Sequence, residues 1–348
     1  MSATFLTRIG LTALLCAATA LEMIGATNAF ADQPAKQAFG GQKLPAVAKP
    51  ESVGFYSKGC LAGGIAIPVD GPNWQVMRLS RNRRWGHPRM IALLERLSRE
   101  AAQDGWPGLL VGDISQPRGG PMLSGHASHQ IGLDADVWLT PMPKRRLSDA
   151  ERENVSAISV LKGDTLYVDP KIWSPAHAAL LKRAASYPEV ERIFVHPGIK
   201  KKLCDTVTGD RSWMAKIRPY WGHHYHFHIR MSCQPGSPGC KPQAPTGRDD
   251  GCGKSLAWWF TDEPWKPAKP STPKKPKKPA MLSDLPSACA RILNEPAPAS
   301  IADVTFGLGS GGGAATDATP GSPPVPAAAF AAPPAATSIP LPIPRPGN

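Results

Sequence analysis

The chain has 348 residues, with 40 lysines and arginines against 27 acidic residues, a formal charge of +13, 39 prolines and seven cysteines. That length leaves room for one well-cored domain even after low-complexity ends are set aside. In an exported chain the charge suits an anionic polymer or lipid headgroups and argues against nucleic acid as a partner. Six of the cations, Lys266, Lys269, Lys274, Lys275, Lys277 and Lys278, fall in one proline-rich stretch, where they equally serve to keep a linker soluble and extended.

Residues 1–31 carry a single cation at Arg8, an apolar run from Ile9 to Leu21 and small residues around Ala29 and Ala31. This reads as a cleaved secretory signal, with no stable membrane insertion afterwards. Cys16 suggests a lipoprotein, but bulky Leu15 before it opposes that processing. Residues 32–51 lack periodicity and read as a flexible, poorly ordered lead-in. The domain spans 52–263.

Within it, Ile91, Leu94, Leu97 and Ala101 lie on one face at helical spacing from Pro88 to Asp104. Gly108 to Ser115 reads as a buried strand and Pro117 to Pro121 as loop. Leu133 to Leu139 alternates, with Leu133, Ala135, Val137 and Leu139 on one face and Asp134, Asp136 and Trp138 on the other. Pro175 to Tyr187 predicts a helix behind Ser174, Arg192 to Val195 a short strand, and Ile199 to Cys204 and Ser212 to Ile217 short helices. Residues 264–295 form a Pro/Lys-rich linker ending in a cysteine segment, and the Pro/Ala/Gly-rich tail 296–348 predicts disorder. Trp258, Trp259 and Phe260 are expected to plug the end of the core.

Two stretches carry the chemistry. Ser124 to Leu139 sets His129 and Asp136 seven positions apart across a loop-to-strand junction, and His223 to Arg230 packs four histidines into six residues. Along that second strand His224, His226, His228 and Arg230 share one face, opposite Tyr225, Phe227 and Ile229. Imidazole, carboxylate and a second imidazole, with one position open to water, are what a catalytic zinc takes. A metallohydrolase is therefore expected, on an α+β fold whose small, mainly antiparallel sheet packs helices on one face and bears the zinc site on the other. Cys60, Cys204, Cys233, Cys240, Cys252 and Cys289 form an even set without C-x2-C spacing, as disulfides in an exported chain would.

The blocks Gly125 to Asp136, Arg192 to Ile199 and the strand ending Phe227-His-Ile-Arg230 resemble the penicillin-insensitive murein endopeptidase family, within the wider zinc peptidase group that includes D-Ala-D-Ala peptidases and hedgehog domains. The likeness runs from about Ser52 to Phe260, with Cys289 an outlying match. It implies a zinc ion (Zn2+) on His129, Asp136 and His228, and a periplasmic enzyme cutting the D-alanyl to meso-diaminopimelyl cross-link of peptidoglycan. It also implies the pairs Cys60 with Cys289, Cys204 with Cys252 and Cys233 with Cys240. Lysostaphin-like peptidases use a shorter His-x3-Asp, and the glutamate that D-Ala-D-Ala dipeptidases place three residues before the last zinc histidine is replaced here by Tyr225.

His226 is therefore the first choice for moving protons and steadying the oxyanion, and His223 the second, provided the strand starts or twists there. The resemblance points to a second metal using His126 and Asp164, although Tyr167 stands where the family can have a further histidine. Asp134 reads as a carboxylate that orients a metal histidine. His87, His177 and His196 read as surface or structural. Arg118 and the cluster Arg81, Arg83 and Arg84 either grip carboxylates of a stem peptide or form a solvated basic surface. No G-x-S-x-G elbow is present, so no acyl-serine forms for β-lactams to mimic. The rival reading is a non-catalytic module that binds peptidoglycan or a partner around a structural zinc; the same chemistry on another amide bond is a third.

Overall fold

The computed structural model describes residues 33–266 and 278–307. Its first half contains α1 (Ala35–Gly40), β1 (Glu51–Phe55), β2 (Lys58–Ala62), β3 (Ile65–Ala66), β4 (Asp70–Gly71), β5 (Trp74–Val76), β6 (Trp85–Gly86), α2 (Pro88–Gln103), β7 (Leu109–Val111) and β8 (Asp134–Trp138). There follow α3 (Asp149–Asn154), α4 (Pro175–Ser186), β9 (Val190–Val195), α5 (Pro197–Thr206), β10 (Ile217–Pro219), β11 (His226–Met231), α6 (Lys254–Ala257) and α7 (Ala288–Asn294). The region Ser212–Lys216 is a 3-10 turn.

Seven strands make one sheet in the order β10-β9-β11-β8-β7-β5-β4. The pairs β9/β11, β11/β8, β8/β7 and β5/β4 are antiparallel, while β10/β9 and β5/β7 are parallel. The α+β architecture and the mainly antiparallel sheet match the reading of the sequence.

Register decides which face does what. Phe227 of β11 lies opposite Val137 of β8, and Ile229 lies opposite both Ala135 of β8 and Ile193 of β9. These side chains pack in the main core with Met90, Ile91, Leu94 and Leu97 of α2 and Leu180, Leu181 and Ala184 of α4. The period-2 pleat then forces Asp134, Asp136, His226, His228 and Arg230 to the other face. All five are buried there, under loops instead of open to solvent.

The starts of α2 and α5 are set by histidines. His87 Nδ1 accepts the Arg89 N–H at 3.2 Å and His196 Nδ1 accepts the Gly198 N–H at 3.1 Å, each just before a proline at the first helical position. His177 donates through Nε2 to the Leu139 carbonyl at 3.1 Å and stacks on Trp173. The structural roles expected for these three histidines are those observed.

Several expectations are corrected. The lead-in 32–51 is not loose over its described residues: α1 buries Ala35 and Phe39 completely, in a second core shared with Cys289 and Ile292 of α7. The partners that order it lie some 250 positions away, beyond the reach of local periodicity. The tail is ordered through residue 307, where Thr305 bridges Ala66 and the Phe306 N–H donates to the Ala66 carbonyl at 2.9 Å. Trp258 is 47% exposed and neither Trp259 nor Phe260 is buried, so this trio lies on the surface and plugs nothing. Arg118 is buried and turned inward; its Nη1 donates to the carbonyls of Ile292, Leu293 and Glu295 at 2.7–2.8 Å, capping the end of α7.

The three disulfides are Cys60–Cys289, Cys204–Cys252 and Cys233–Cys240, as the family resemblance implied. The signal reading, most of the lysine-rich stretch and residues 308–348 lie outside the described residues. Among the described residues, no helix is long and apolar enough to cross a membrane.

Candidate metal centre

His129 reaches the site from the loop before β8 in an unusual backbone state, at φ +67°. A left-handed non-glycine residue costs roughly a kcal/mol or more and persists only where its surroundings over-determine it. Two contacts do so here. The His129 N–H donates to Asp134 Oδ2 at 2.9 Å, and Nδ1 of the fully buried ring donates to the Ile114 carbonyl at 2.6 Å. With Nδ1 committed to that carbonyl, Nε2 is the ring atom turned toward the site and the one available to a metal.

His228 sits on β11 directly opposite Asp136 on β8. Its Nε2 donates to Asp134 Oδ1 at 2.9 Å, which leaves Nδ1 as its lone pair. Asp134 is itself clasped by Arg230, Nε to Oδ1 at 2.7 Å and Nη2 to Oδ2 at 3.2 Å, and that guanidinium lies over the Tyr56 and Phe194 rings. Asp134 is thus the histidine-orienting carboxylate expected from its place beside Asp136.

The three free atoms converge. His129 Nε2 lies 3.2 Å from His228 Nδ1, and Asp136 Oδ1 lies 3.4 Å from the first and 3.3 Å from the second. Oδ1 is buried and accepts no hydrogen bond. Two imidazole lone pairs and a carboxylate oxygen facing one another repel unless a cation sits among them. Ligand atoms about 2.0–2.1 Å from a tetrahedral zinc are themselves about 3.3 Å apart, so the donor set and its spacing fit zinc.

Electrostatics agree. Burial opposes ionisation of Asp136, but the imidazoles of His129 and His226 outweigh it and hold its pKa well below the usual range. Burial likewise opposes Asp134, and Arg230 and His228 overcome it. Burial lowers the His228 pKa, but the Asp134 charge outweighs it and leaves the net shift upward, so a metal would compete with a proton there.

His126 stands on the other side of the same carboxylate. Its Nε2 is 2.9 Å from Asp113 Oδ2 and its Nδ1 3.6 Å from Asp136 Oδ2. His126, His129 and Asp136 form a three-ligand group within 4.8 Å. His228 nevertheless lies closer to Asp136 than His126 does, and the other nitrogen of His126 is engaged by Asp113. His129 Nε2, His228 Nδ1 and Asp136 Oδ1 are thus the three atoms best disposed to share one ion. Among the described residues no second group of three ligands occurs; Asp164 is exposed, and Tyr167 packs on Phe260.

His226 and His223 both come to the site. His226 Nε2 is 3.7 Å from Asp136 Oδ1, and its buried Nδ1 has no hydrogen-bond partner among the described residues. β11 begins only at His226, so His223 lies in the preceding turn, free of the pleat that would have pointed it away, with its ring centroid 4.8 Å from that of His226. Its Nδ1 donates to the Trp221 carbonyl. Burial lowers both pKa values, that of His226 to about 4 and that of His223 to about 3. His224 instead pairs with Ser159 Oγ at 2.9 Å.

Asp113 is the residue that reading the sequence missed. It follows β7, is 4% exposed, and takes His126, Arg81 and Arg83 on one oxygen. Burial raises its pKa, but these three partners bring it down to about 2. Its signal was a lone carboxylate ending the apolar run Leu109-Leu-Val-Gly112.

A family model described as penicillin-insensitive murein endopeptidase matches residues 52–294, which extends the likeness through α7. The chain is 45% identical over 248 residues to the penicillin-insensitive murein endopeptidase of Haemophilus influenzae, covering 71% of this chain and 84% of that protein. It is 39% identical over 245 residues to the protein of that name from Klebsiella pneumoniae subsp. pneumoniae, covering 70% and 86%. For that of Pectobacterium atrosepticum the figures are 40% over 224 residues, 64% and 79%. The chain belongs to the penicillin-insensitive murein endopeptidase family.

Proposed function

We propose that the protein is a zinc-dependent endopeptidase that hydrolyses the D-alanyl to meso-diaminopimelyl cross-link of peptidoglycan in the periplasm, by water attack and without an acyl-enzyme. The observation that carries this reading is the convergence of His129 Nε2, His228 Nδ1 and Asp136 Oδ1 at 3.2–3.4 Å, with every other polar atom of the two rings already committed. The names borne by the relatives supply the substrate class.

His129, His228 and Asp136 would hold the ion; bound zinc supplies Lewis acidity and lowers the pKa of water to about 7. The chain's own residues do the rest. Asp134 and Arg230 keep His228 turned so that Nδ1 faces inward. His226, 3.7 Å from Asp136 Oδ1, takes the proton of the attacking water at Nε2 and hands it to the departing amine. His223, with Nδ1 spent on the Trp221 carbonyl, offers Nε2 as the second proton carrier. His126, steadied by Asp113, borders the far oxygen of Asp136 and is the residue through which a second ion would have to be held.

Purified cross-linked muropeptide dimers test the reading. Chelation should abolish cleavage, zinc should restore it, and mass spectrometry should place the cut at the D-alanyl amide. Unchanged dimers from a metal-loaded protein would leave only a binding module.

A further inference from the structure

Four arginines were candidates for gripping substrate; Arg118 and Arg83 are spent, and Arg84 does not line the cavity beside Arg81. Arg118 caps α7, Arg84 donates to the Ile67 carbonyl, and buried Arg83 divides its donors between Asp113 Oδ2 at 2.9 Å and the carbonyl and hydroxyl of Ser124 at 2.9 and 3.1 Å. Arg81 differs. A single nitrogen meets Asp113 at 3.0 Å, the side chain is 46% exposed, and the rest of the guanidinium finds no acceptor among the described residues.

Arg81 is also presented on a fixed support. The short turn Leu79–Arg81 is bracketed by Arg78 and Asn82, both left-handed at φ 59° and 52°. Asn82 is held at both ends, its Oδ1 accepting the Trp85 indole N–H at 2.8 Å and its Nδ2 donating to the Lys43 carbonyl at 3.1 Å. Ser80 is fixed through its N–H and hydroxyl, which donate to Glu153 at 2.8 and 2.9 Å. Beside this turn lies a cavity of about 260 Å³ whose lining includes Lys43, Arg81, Asn82, Arg83 and Ser124. Lys43 is exposed and its ammonium has no partner among the described residues. Among the described residues Asp113 is the one acid that meets Arg81 and Arg83, and a single oxygen carries both of them, so positive charge is in surplus.

The cavity is coupled to the candidate metal centre. The Asp113 oxygen that takes Arg81 also takes His126, whose other nitrogen faces Asp136. A guanidinium with unspent donors in a cationic cleft is matched to a planar anion, which it grips with two parallel bonds. Cross-linked stem peptides carry such groups, since the diaminopimelyl residue retains a free carboxylate close to the scissile amide.

We propose that this cavity is a carboxylate subsite in which Arg81, supported by Lys43, binds a free carboxylate of the stem peptide next to the bond to be cut. The inference rests on the peptidoglycan reading above and adds the group that selects the substrate.

The test compares the zinc-loaded full chain with its Arg81→Gln and Lys43→Gln variants on cross-linked stem-peptide dimers, with their carboxylates either free or converted to carboxamides. Zinc content is checked in each. Arg81→Gln should raise KM on the free acid about tenfold, with kcat within about twofold, and leave KM on the amidated dimer unchanged. Lys43→Gln should act in the same direction, more weakly, and its effect should shrink with added salt. Wild-type enzyme should itself show the tenfold preference for the free acid. Equal losses on both substrates, a fall in kcat alone, or no preference in the wild type would overturn the subsite. Calorimetric binding of an uncleavable single stem peptide, free acid against amide, needs no turnover. An inactive protein that still prefers the acid through Arg81 would refute the proposed reaction and uphold the subsite.

Discussion

Asp134 ties two distant stretches of chain together, accepting the His129 N–H on one oxygen and His228 Nε2 on the other. Asp134→Asn should therefore lower zinc affinity about 10- to 100-fold with the ligands themselves intact, as read by competition with a chromophoric chelator. Unaltered affinity would mean that the rings are held by packing alone. His228→Ala should lose zinc outright, whereas His226→Ala should keep stoichiometric zinc and lose about 100-fold or more in turnover. Equal zinc loss in the two would make His226 a ligand. Strand alternation made the common face of His226 and His228 legible, because the pleat is a local rule. The orientation of His129 was not legible: it depends on a left-handed backbone and on the Ile114 carbonyl, neither of which leaves a pattern in neighbouring residues.

The helices were readable where an apolar stripe and a proline at the first turn coincide, as in α2 and α4. The Ser174 cap of α4 was legible as well, whereas the caps of α2 and α5 were not, because histidine is not among the preferred N-cap residues. His87 and His196 act as acceptors in the neutral form, and each is pushed down to about 4, His87 by burial and then Arg89, His196 by burial and then His224. A histidine with a depressed folded pKa leaves the unfolded chain binding the extra proton between about pH 6.5 and 4. The stability is thus present above pH 6.5 and lost as pH falls through that window, by up to about 3 kcal/mol per group for a shift of this size. His87→Asn keeps a capping oxygen without the titration, so urea unfolding of this variant should depend less on pH between 7.5 and 4.5 than that of the parent. An identical slope would show that His87 does not titrate in the folded state as assigned.

Across the whole molecule, the N-terminal helix, the Cys60–Cys289 disulfide and α7 form a second core against the sheet domain. That disulfide spans 229 positions, and replacing both cysteines by serine should cost about 2–5 kcal/mol in unfolding free energy while leaving the zinc ligands in place. A loss of zinc stoichiometry in that variant would show that the two cores are not independent. Composition alone had cast the first flanking segment as a loose lead-in and the second as a linker ending in a cysteine segment, because neither has a core of its own and each buries its apolar side chains only against the other. The central claim is that two segments almost a hundred residues apart close on one ion. Its most direct test is anomalous scattering at the zinc edge from crystals of the metal-loaded protein. One peak within about 2.0–2.2 Å of His129 Nε2, His228 Nδ1 and a carboxylate oxygen of Asp136 is the predicted result; a peak that excludes His228, or none at this cluster, would contradict it.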